Sequence, residues 1–302
     1  MKKCKRTLLN EFLEKENIKF VEKPSKTMCK YFVESFDDIE KVISATKETF
    51  GWIDSKVYFR GQSYDKWGIV PSVARYKGLM EYEKSMLSDL SFLKEKIDLE
   101  QIIKAQHFGL PTRLIDVTSD WKIALWFACQ SFTKNNGEEH NGEIVLFNSV
   151  VEDKNIINYA LWQIENYDSV KRETSENNIK RFEAEKPENN EKLTIDVTRY
   201  FVPCVIDFSK RNIDVTRVKN QKACGILSII DTKESKRGMY SLFGRVYKKY
   251  MVSIIIPGNL KKVFLGELEK QGINTKYIYP NDFEHECKCI KEKYLEILKS
   301  NE

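Results

Sequence analysis

The sequence predicts an α+β protein, with a mixed or antiparallel central sheet and flanking helices. Three observations carry that expectation. Apolar, β-rich runs recur at Gly142–Phe147, 226–230 and Met251–Ile256, and segments of helical spacing lie between some of them without the regular alternation of a doubly wound sheet. The chain has 302 residues, 41% hydrophobic and 31% charged, enough to bury a core without disulfide or metal staples and too charged for a membrane bundle. Seven prolines and thirteen glycines exclude collagen-like or linker-dominated architecture.

The elements follow in order. Leu8, Leu9, Phe12 and Leu13 have helical spacing and Pro24 closes the stretch, which predicts an N-terminal helical extension over residues 1–30. Residues 31–298 are then one domain. Phe36, Ile39, Val42, Ile43, Ala45 and Phe50 give an amphipathic helix ended by Gly51. Val57-Tyr58-Phe59-Arg60 reads as a short strand punctuated by Gly61. Residues 79–105 hold one or two helices, and 113–117 are extended. Ser119 or Asp120 caps a helix of high apolar density from Trp121 to Cys129, which is expected to be buried on most sides. Residues 142–147 form a strand. The Glu-, Asn- and Lys-rich stretch near 165–195 predicts a polar insertion, mobile or lid-like, with helical pieces. Strands at 201–206, 226–230 and 251–256, a helix at 259–271 and a C-terminal helix at 282–298 complete the set.

The net charge of +5 is the residue of 50 basic and 45 acidic side chains, so the charge is interspersed and argues for no particular partner. The basic start, Met1-Lys2-Lys3-Cys4-Lys5-Arg6, is not followed by an apolar signal core, and no window approaches the roughly 18 apolar residues of a membrane span. The expectation is a cytoplasmic protein with no membrane partner. Seven irregularly spaced cysteines fit free thiols. Cys287 and Cys289 beside His285 lack the usual zinc-knuckle spacing, so no metal site is expected.

Two clusters carry chemistry. In the first, Tyr58-Phe59-Arg60-Gly61-Gln62, a strand would hold the Arg60 guanidinium, whose planar fork suits phosphate or carboxylate. Gly61 would let a ligand approach the backbone. The second, Ala105 to Ser119, sets His107, Arg113, Asp116, Thr118 and Ser119 in a short span broken by Gly109 and Pro111. It ends at a helix N-terminus, whose N–H groups favour an anion. His107 could act as base or donor, and Asp116 could orient Arg113 or His107. No Gly-x-Ser-x-Gly, His-Glu-x-x-His, P-loop or Gly-x-Gly-x-x-Gly motif occurs, which argues against a nucleophile-elbow hydrolase, a zinc protease and a Rossmann cofactor site.

In this order the two clusters resemble the FRG domain. Phe59-Arg60-Gly61 is similar to the motif that names the family. Ala105 to Thr118 resembles its second signature, with Val117 where Trp is usual, followed by Ala124-Leu125-Trp126-Phe127-Ala128. Arg217 and Gln221 match a third motif, in which Ala223 stands where glycine is usual. The resemblance spans roughly residues 31–295 of a family found in bacterial and phage-associated proteins.

The motif order in turn resembles that of ADP-ribosyltransferases, and implies an ADP-ribosyltransferase-like fold that uses NAD as substrate. On that resemblance Arg60, His107, Asp116 and Gln221 are catalytic. Phe59, Gly61, Gly109, Arg113, Thr118, Ser119 and Arg217 bind the nucleotide-type ligand, and a protein or nucleic acid serves as macromolecular acceptor. A toxin or anti-phage role would follow. Gln221 stands where such enzymes often carry Glu and cannot hold its charge, so Asp116 takes that part, the activity is weak, or the fold only binds. Two further readings stand beside this one: a nucleotide- or nucleic-acid-binding module without turnover, and a hydrolase using His107 and Asp116 as acid and base.

Overall fold

The computed structural model describes residues 4–20, 28–75, 78–90, 97–107, 109–151, 154–167, 182–185, 192–195, 204–211, 216–227 and 251–280. The strands are β1 (Met28–Phe32), β2 (Val57–Gln62), β3 (Leu114–Thr118), β4 (Gly142–Asn148), β5 (Val150–Val151), β6 (Phe182–Glu185), β7 (Lys192–Ile195), β8 (Cys204–Asp207), β9 (Ala223–Leu227) and β10 (Met251–Ile256). The helices are α1 (Lys5–Lys15), α2 (Phe36–Phe50), α3 (Glu83–Ser88), α4 (Leu99–His107), α5 (Trp121–Ala128), α6 (Lys154–Glu165), α7 (Thr216–Asn220), α8 (Lys261–Lys270) and α9 (Thr275–Ile278). None of the described helices is long and apolar enough to cross a membrane.

Eight strands form one mixed sheet in the order β1-β10-β4-β2-β3-β9-β8-β5. The β1–β10 and β5–β8 pairs are parallel and the other pairs antiparallel. This is the α+β class expected. Only Ser149 separates β4 from β5, and β5 pairs with β8. The row β4-β2-β3-β9-β8 therefore returns to the chain of β4, and the sheet curls. One face is filled by Ile115, Val117, Val145, Phe147, Val205 and Ile226.

The other face carries two helical layers. Over β10, β4 and β2 lie α1, α2, α5 and α8, packed through residues such as Leu9, Val42, Leu125, Leu146 and Phe264. Over β3, β9 and β8 lie α4 and α6, packed through Ile102, Ala160, Leu114, Ile206 and Leu227. The amphipathic spacing of α2 and α4 supplies the apolar stripe each layer needs, and Ser35 with Asp38 closes a capping box on α2.

A buried polar row crosses four strands at the end of the sheet. Lys30 on β1 and Ser253 on β10 donate to Glu143 on β4, as does Gln62 on β2 at 2.7 Å. Burial raises the Glu143 carboxyl above its ordinary value, against the pull of Lys30. Gln62 Nε2 also donates to Trp67 O at 2.9 Å and Lys30 Nζ to Asp65 O at 3.3 Å, so the row anchors the 63–67 loop.

Several boundaries differ from expectation. Strand β2 continues through Gly61 and Gln62, because both residues pair with β4. The strand expected at 226–230 begins at Ala223, since the whole of β9 pairs with β3; residues 228–230 lie outside the described residues. In the N-terminal stretch Leu9 and Leu13 belong to the main core, and β1 is an edge strand of the sheet. In the polar stretch 165–195, the described part beyond Tyr167 is the antiparallel pair β6–β7 rather than helix. Cys287, Cys289, His285 and the expected helix at 282–298 lie outside the described residues.

Candidate functional site

Strands β2 and β3 touch through a single registered pair, Phe59 with Thr118, whereas β2 pairs with β4 over six residues. The sheet splays there, and over the gap the two helical layers stand apart. A cavity of about 280 Å³ opens between them, near the lower end of the roughly 300–1,000 Å³ usual for ligand pockets. Its floor is Phe59, Arg60, Asp116 and Thr118; α4 supplies Gln106 and His107, and α5 supplies Ile123 and Phe127. Arg217, Gln221 and Tyr279 close the far side.

The helix α5 is placed by two glycines. A Cβ on Gly61 would lie 1.8 Å from Ala124 O, and one on Gly142 would lie 2.1 Å from Ala128 O. The helix backbone rests directly on β2 and β4, one helical turn apart, with small residues on its contact face. Gly61 therefore makes room for α5. The ligand approach expected for its backbone is taken by the helix.

Arg60 bridges the splay. Its Nη1 donates to the main-chain carbonyl of Asp116, so a side chain serves where a ladder bond is missing. Its Nε is enclosed and has no hydrogen-bond partner among the described residues. Burial pushes the guanidinium below its usual range; Asp116 pulls the other way, and Arg75 adds to the push. A desolvated, incompletely partnered cation favours an anionic ligand.

Asp116 is the one exposed residue of β3, flanked by buried neighbours on both sides. Its Oδ1 accepts from Gln106 Nε2, and Gln106 Oε1 accepts from the Thr112 hydroxyl. Thr112 N in turn donates to Ser72 Oγ at 3.0 Å, and Ser72 Oγ donates to Thr112 O at 3.1 Å. The relay fixes which way the Gln106 amide faces. It thereby steadies the Asp116 carboxylate, which lines the cavity. Asp116 is the only carboxylate among the lining residues. His107, the last residue of α4, lines the same space.

On the far side, Asn220 Nδ2 donates to Tyr277 O at 2.7 Å and Gln221 Nε2 to Ile278 O at 3.1 Å. These bonds join α7 to α9, and the Arg217 guanidinium lies 4.5 Å from the centre of the Tyr279 ring. Gln221 thus lines the cavity, but its amide nitrogen holds the α9 segment. The Thr118 hydroxyl is similarly engaged: it donates to Gln221 O at 2.8 Å and accepts from Asp120 N at 3.1 Å. Glycine is absent after Gln221, and the left-handed residue of that turn is Lys222, at φ 43°. Its Nζ donates to Asp120 Oδ2 at 2.7 Å.

Phe59, Arg60, Gly61, His107, Asp116, Thr118, Arg217 and Gln221, expected from sequence, thus share one cavity. Gly109, Arg113 and Ser119 do not line it. Gly109 is a left-handed turn at φ 94° closing α4, and Ser119 is exposed. The N-terminus of α5 is capped by Asp120, one of the two caps expected, which accepts from Lys122 N at 2.8 Å.

Arg113 is fully buried. Its Nε and Nη2 donate to Glu83 Oε2 at 2.9 and 2.7 Å, and its Nη1 to Ala160 O at 3.0 Å. Its main-chain N donates to Glu83 Oε1 at 2.9 Å. The guanidinium is held by protein on all sides, which corrects the expectation that it binds ligand.

Gln106, Phe127, Phe208 and Tyr279 line the cavity and were not among the expected site residues. Gln106, beside His107 in the second cluster, was the one with a visible signal.

Residues 55–137 match the family model of the FRG domain. The match takes in Arg60, Gln106, His107, Asp116 and α5, and leaves Arg217, Gln221 and Tyr279 beyond it. No curated protein and no solved structure matches the chain.

Proposed function

We propose, from the match of residues 55–137 to the FRG domain model, that the cavity binds an anionic, nucleotide-type ligand and that the reaction is NAD cleavage, by transfer of ADP-ribose or by hydrolysis. The observation that carries the reading is the convergence of Arg60, His107 and Asp116 on one cavity, with Arg60 Nε enclosed and unsatisfied.

In this reading Arg60 clamps the diphosphate, and Asp116, steadied by Gln106, faces the nicotinamide ribose. The bond from ribose C1′ to the ring nitrogen breaks, its electron pair goes to the ring, and nicotinamide leaves neutral. The positive charge left on the sugar lies against the Asp116 carboxylate, a preorganised electrostatic contact that strengthens as the charge develops. Water or an acceptor hydroxyl adds to C1′ and gives up its proton to His107. A protein or nucleic acid acceptor defines a transferase, water a glycohydrolase, and either would suit a toxin or anti-phage effector that acts through NAD.

One observation favours a second reading, a nucleotide-binding module without turnover. The Gln221 amide nitrogen is tied to Ile278 O, so that position supplies a neutral structural contact rather than a catalytic carboxylate.

Nicotinamide release separates the two. Wild-type protein incubated with NAD is expected to release nicotinamide, and Asp116→Asn to release it at least ~100-fold more slowly. Release at equal rates by both would remove Asp116 from the chemistry. ADP-ribose binding with no release by wild type would leave the binding module.

A further inference from the structure

We propose that the wall formed by Arg217 and Tyr279 is a subsite for a planar heteroaromatic ring, so that the cavity takes one mononucleotide unit. This rests on the reading that Arg60 holds the ligand's phosphate and Asp116 its ribose. The ring subsite is a separate claim on different residues, outside the part of the chain that matches the FRG domain.

The wall is built and fixed. The Arg217 guanidinium lies over the Tyr279 ring at 4.5 Å, and this cation–aromatic pair lines the cavity. Tyr279 is braced edge-on by Trp126, with ring centres 5.8 Å apart at 67°, and by Phe127 at 6.5 Å and 89°. The bonds from Asn220 and Gln221 to Tyr277 O and Ile278 O bring together segments separated by 57 positions in the chain. Both Arg217 and Tyr279 are half-buried and line the cavity. An ion or sugar phosphate alone would not need an aromatic wall. A nucleotide ring does, since bases are held by stacking on aromatic and guanidinium planes.

The order of groups matches the order of parts in a nucleotide. Arg60 stands on β2, Asp116 on β3, and the Arg217–Tyr279 wall at the entry to β9, and these three strands are neighbours. In the order of the strands the anion station on β2 comes first, the carboxylate on β3 next and the ring station at β9 last. Phosphate, ribose and ring fall on Arg60, Asp116 and Arg217–Tyr279 in turn. The volume of about 280 Å³ suits one such unit, so the other half of a dinucleotide would lie outside.

Titration calorimetry with three probes tests the subsite: ribose 5-phosphate, AMP and nicotinamide mononucleotide. At least one mononucleotide is expected to bind about tenfold or more tightly than ribose 5-phosphate, and the tighter of the two identifies which half of NAD enters. Tyr279→Leu should bring that mononucleotide to within roughly threefold of ribose 5-phosphate, while Tyr279→Phe keeps the advantage. If both mononucleotides bind wild type no better than ribose 5-phosphate, the ring subsite is wrong and the Arg60–Asp116 reading stands. If none of the three binds and ADP-ribose does not bind either, both fall. The wild-type series decides on its own should Tyr279→Leu fail to fold.

Discussion

Gly61→Ala is expected to lose at least about 3 kcal/mol of stability, and in a marginal background to abolish folding. The added methyl would lie 1.8 Å from Ala124 O and 3.0 Å from Ala128 N. Both are backbone atoms of a helix, so no rotamer change relieves the overlap. The helix would have to lift from β2, and Ala124, Leu125 and Ala128, all buried to the last per cent, would lose their packing with it. Urea unfolding of Gly61→Ala beside Arg60→Met measures the effect. Arg60→Met should remain folded. A Gly61→Ala protein of wild-type stability would mean that α5 does not sit on this strand.

Arg113→Met is expected to cost about 3–5 kcal/mol, because it strands a buried carboxylate. The Arg113–Glu83 pair is 1% exposed on both sides, and the arginine also ties β3 to α6 through Ala160 O. Removing only the cation leaves Glu83 with the main-chain N–H of residue 113 but no counter-charge in a low-dielectric interior. The double variant Glu83→Leu/Arg113→Met should recover a large part of the loss, since an apolar pair of similar volume can replace a buried ion pair. Both variants should bind ADP-ribose normally per folded molecule, because Arg113 does not reach the cavity. A binding loss with unchanged stability would instead return Arg113 to the ligand site.

These two residues show what the sequence displayed and what it hid. Arg60, His107 and Asp116 stood out individually because each is a polar side chain in a short segment beside apolar residues or glycine, and the apolar density of α5 announced a buried helix. The role of Gly61 was not legible, since its partner is the carbonyl of Ala124, sixty-three positions along the chain. The fate of Arg113 depended on Glu83, thirty positions earlier at the start of the short helix α3. Tyr279 acquires meaning only when Asn220 docks its helix against α7. Helix α6 had a readable stripe, with Ile156, Ala160 and Ile164 buried at a spacing of four, but its closeness to the polar stretch after 165 masked it. In β9, Gly225 and Ala223 are weak strand formers. Gly225 is required because a Cβ there would meet the Phe208 ring at 2.4 Å, a packing demand the local sequence does not show.

On the proposed reading the guanidinium of Arg60, whose Nε is enclosed, holds the anion of a nucleotide ligand. The most direct measurement is the affinity of ADP-ribose for wild-type protein and for Arg60→Met at two salt concentrations. Wild type should bind, and Arg60→Met should bind at least about tenfold more weakly with its fold intact, the loss of one charge-assisted contact. Binding of ADP-ribose that is equally tight in wild type and Arg60→Met would contradict the account.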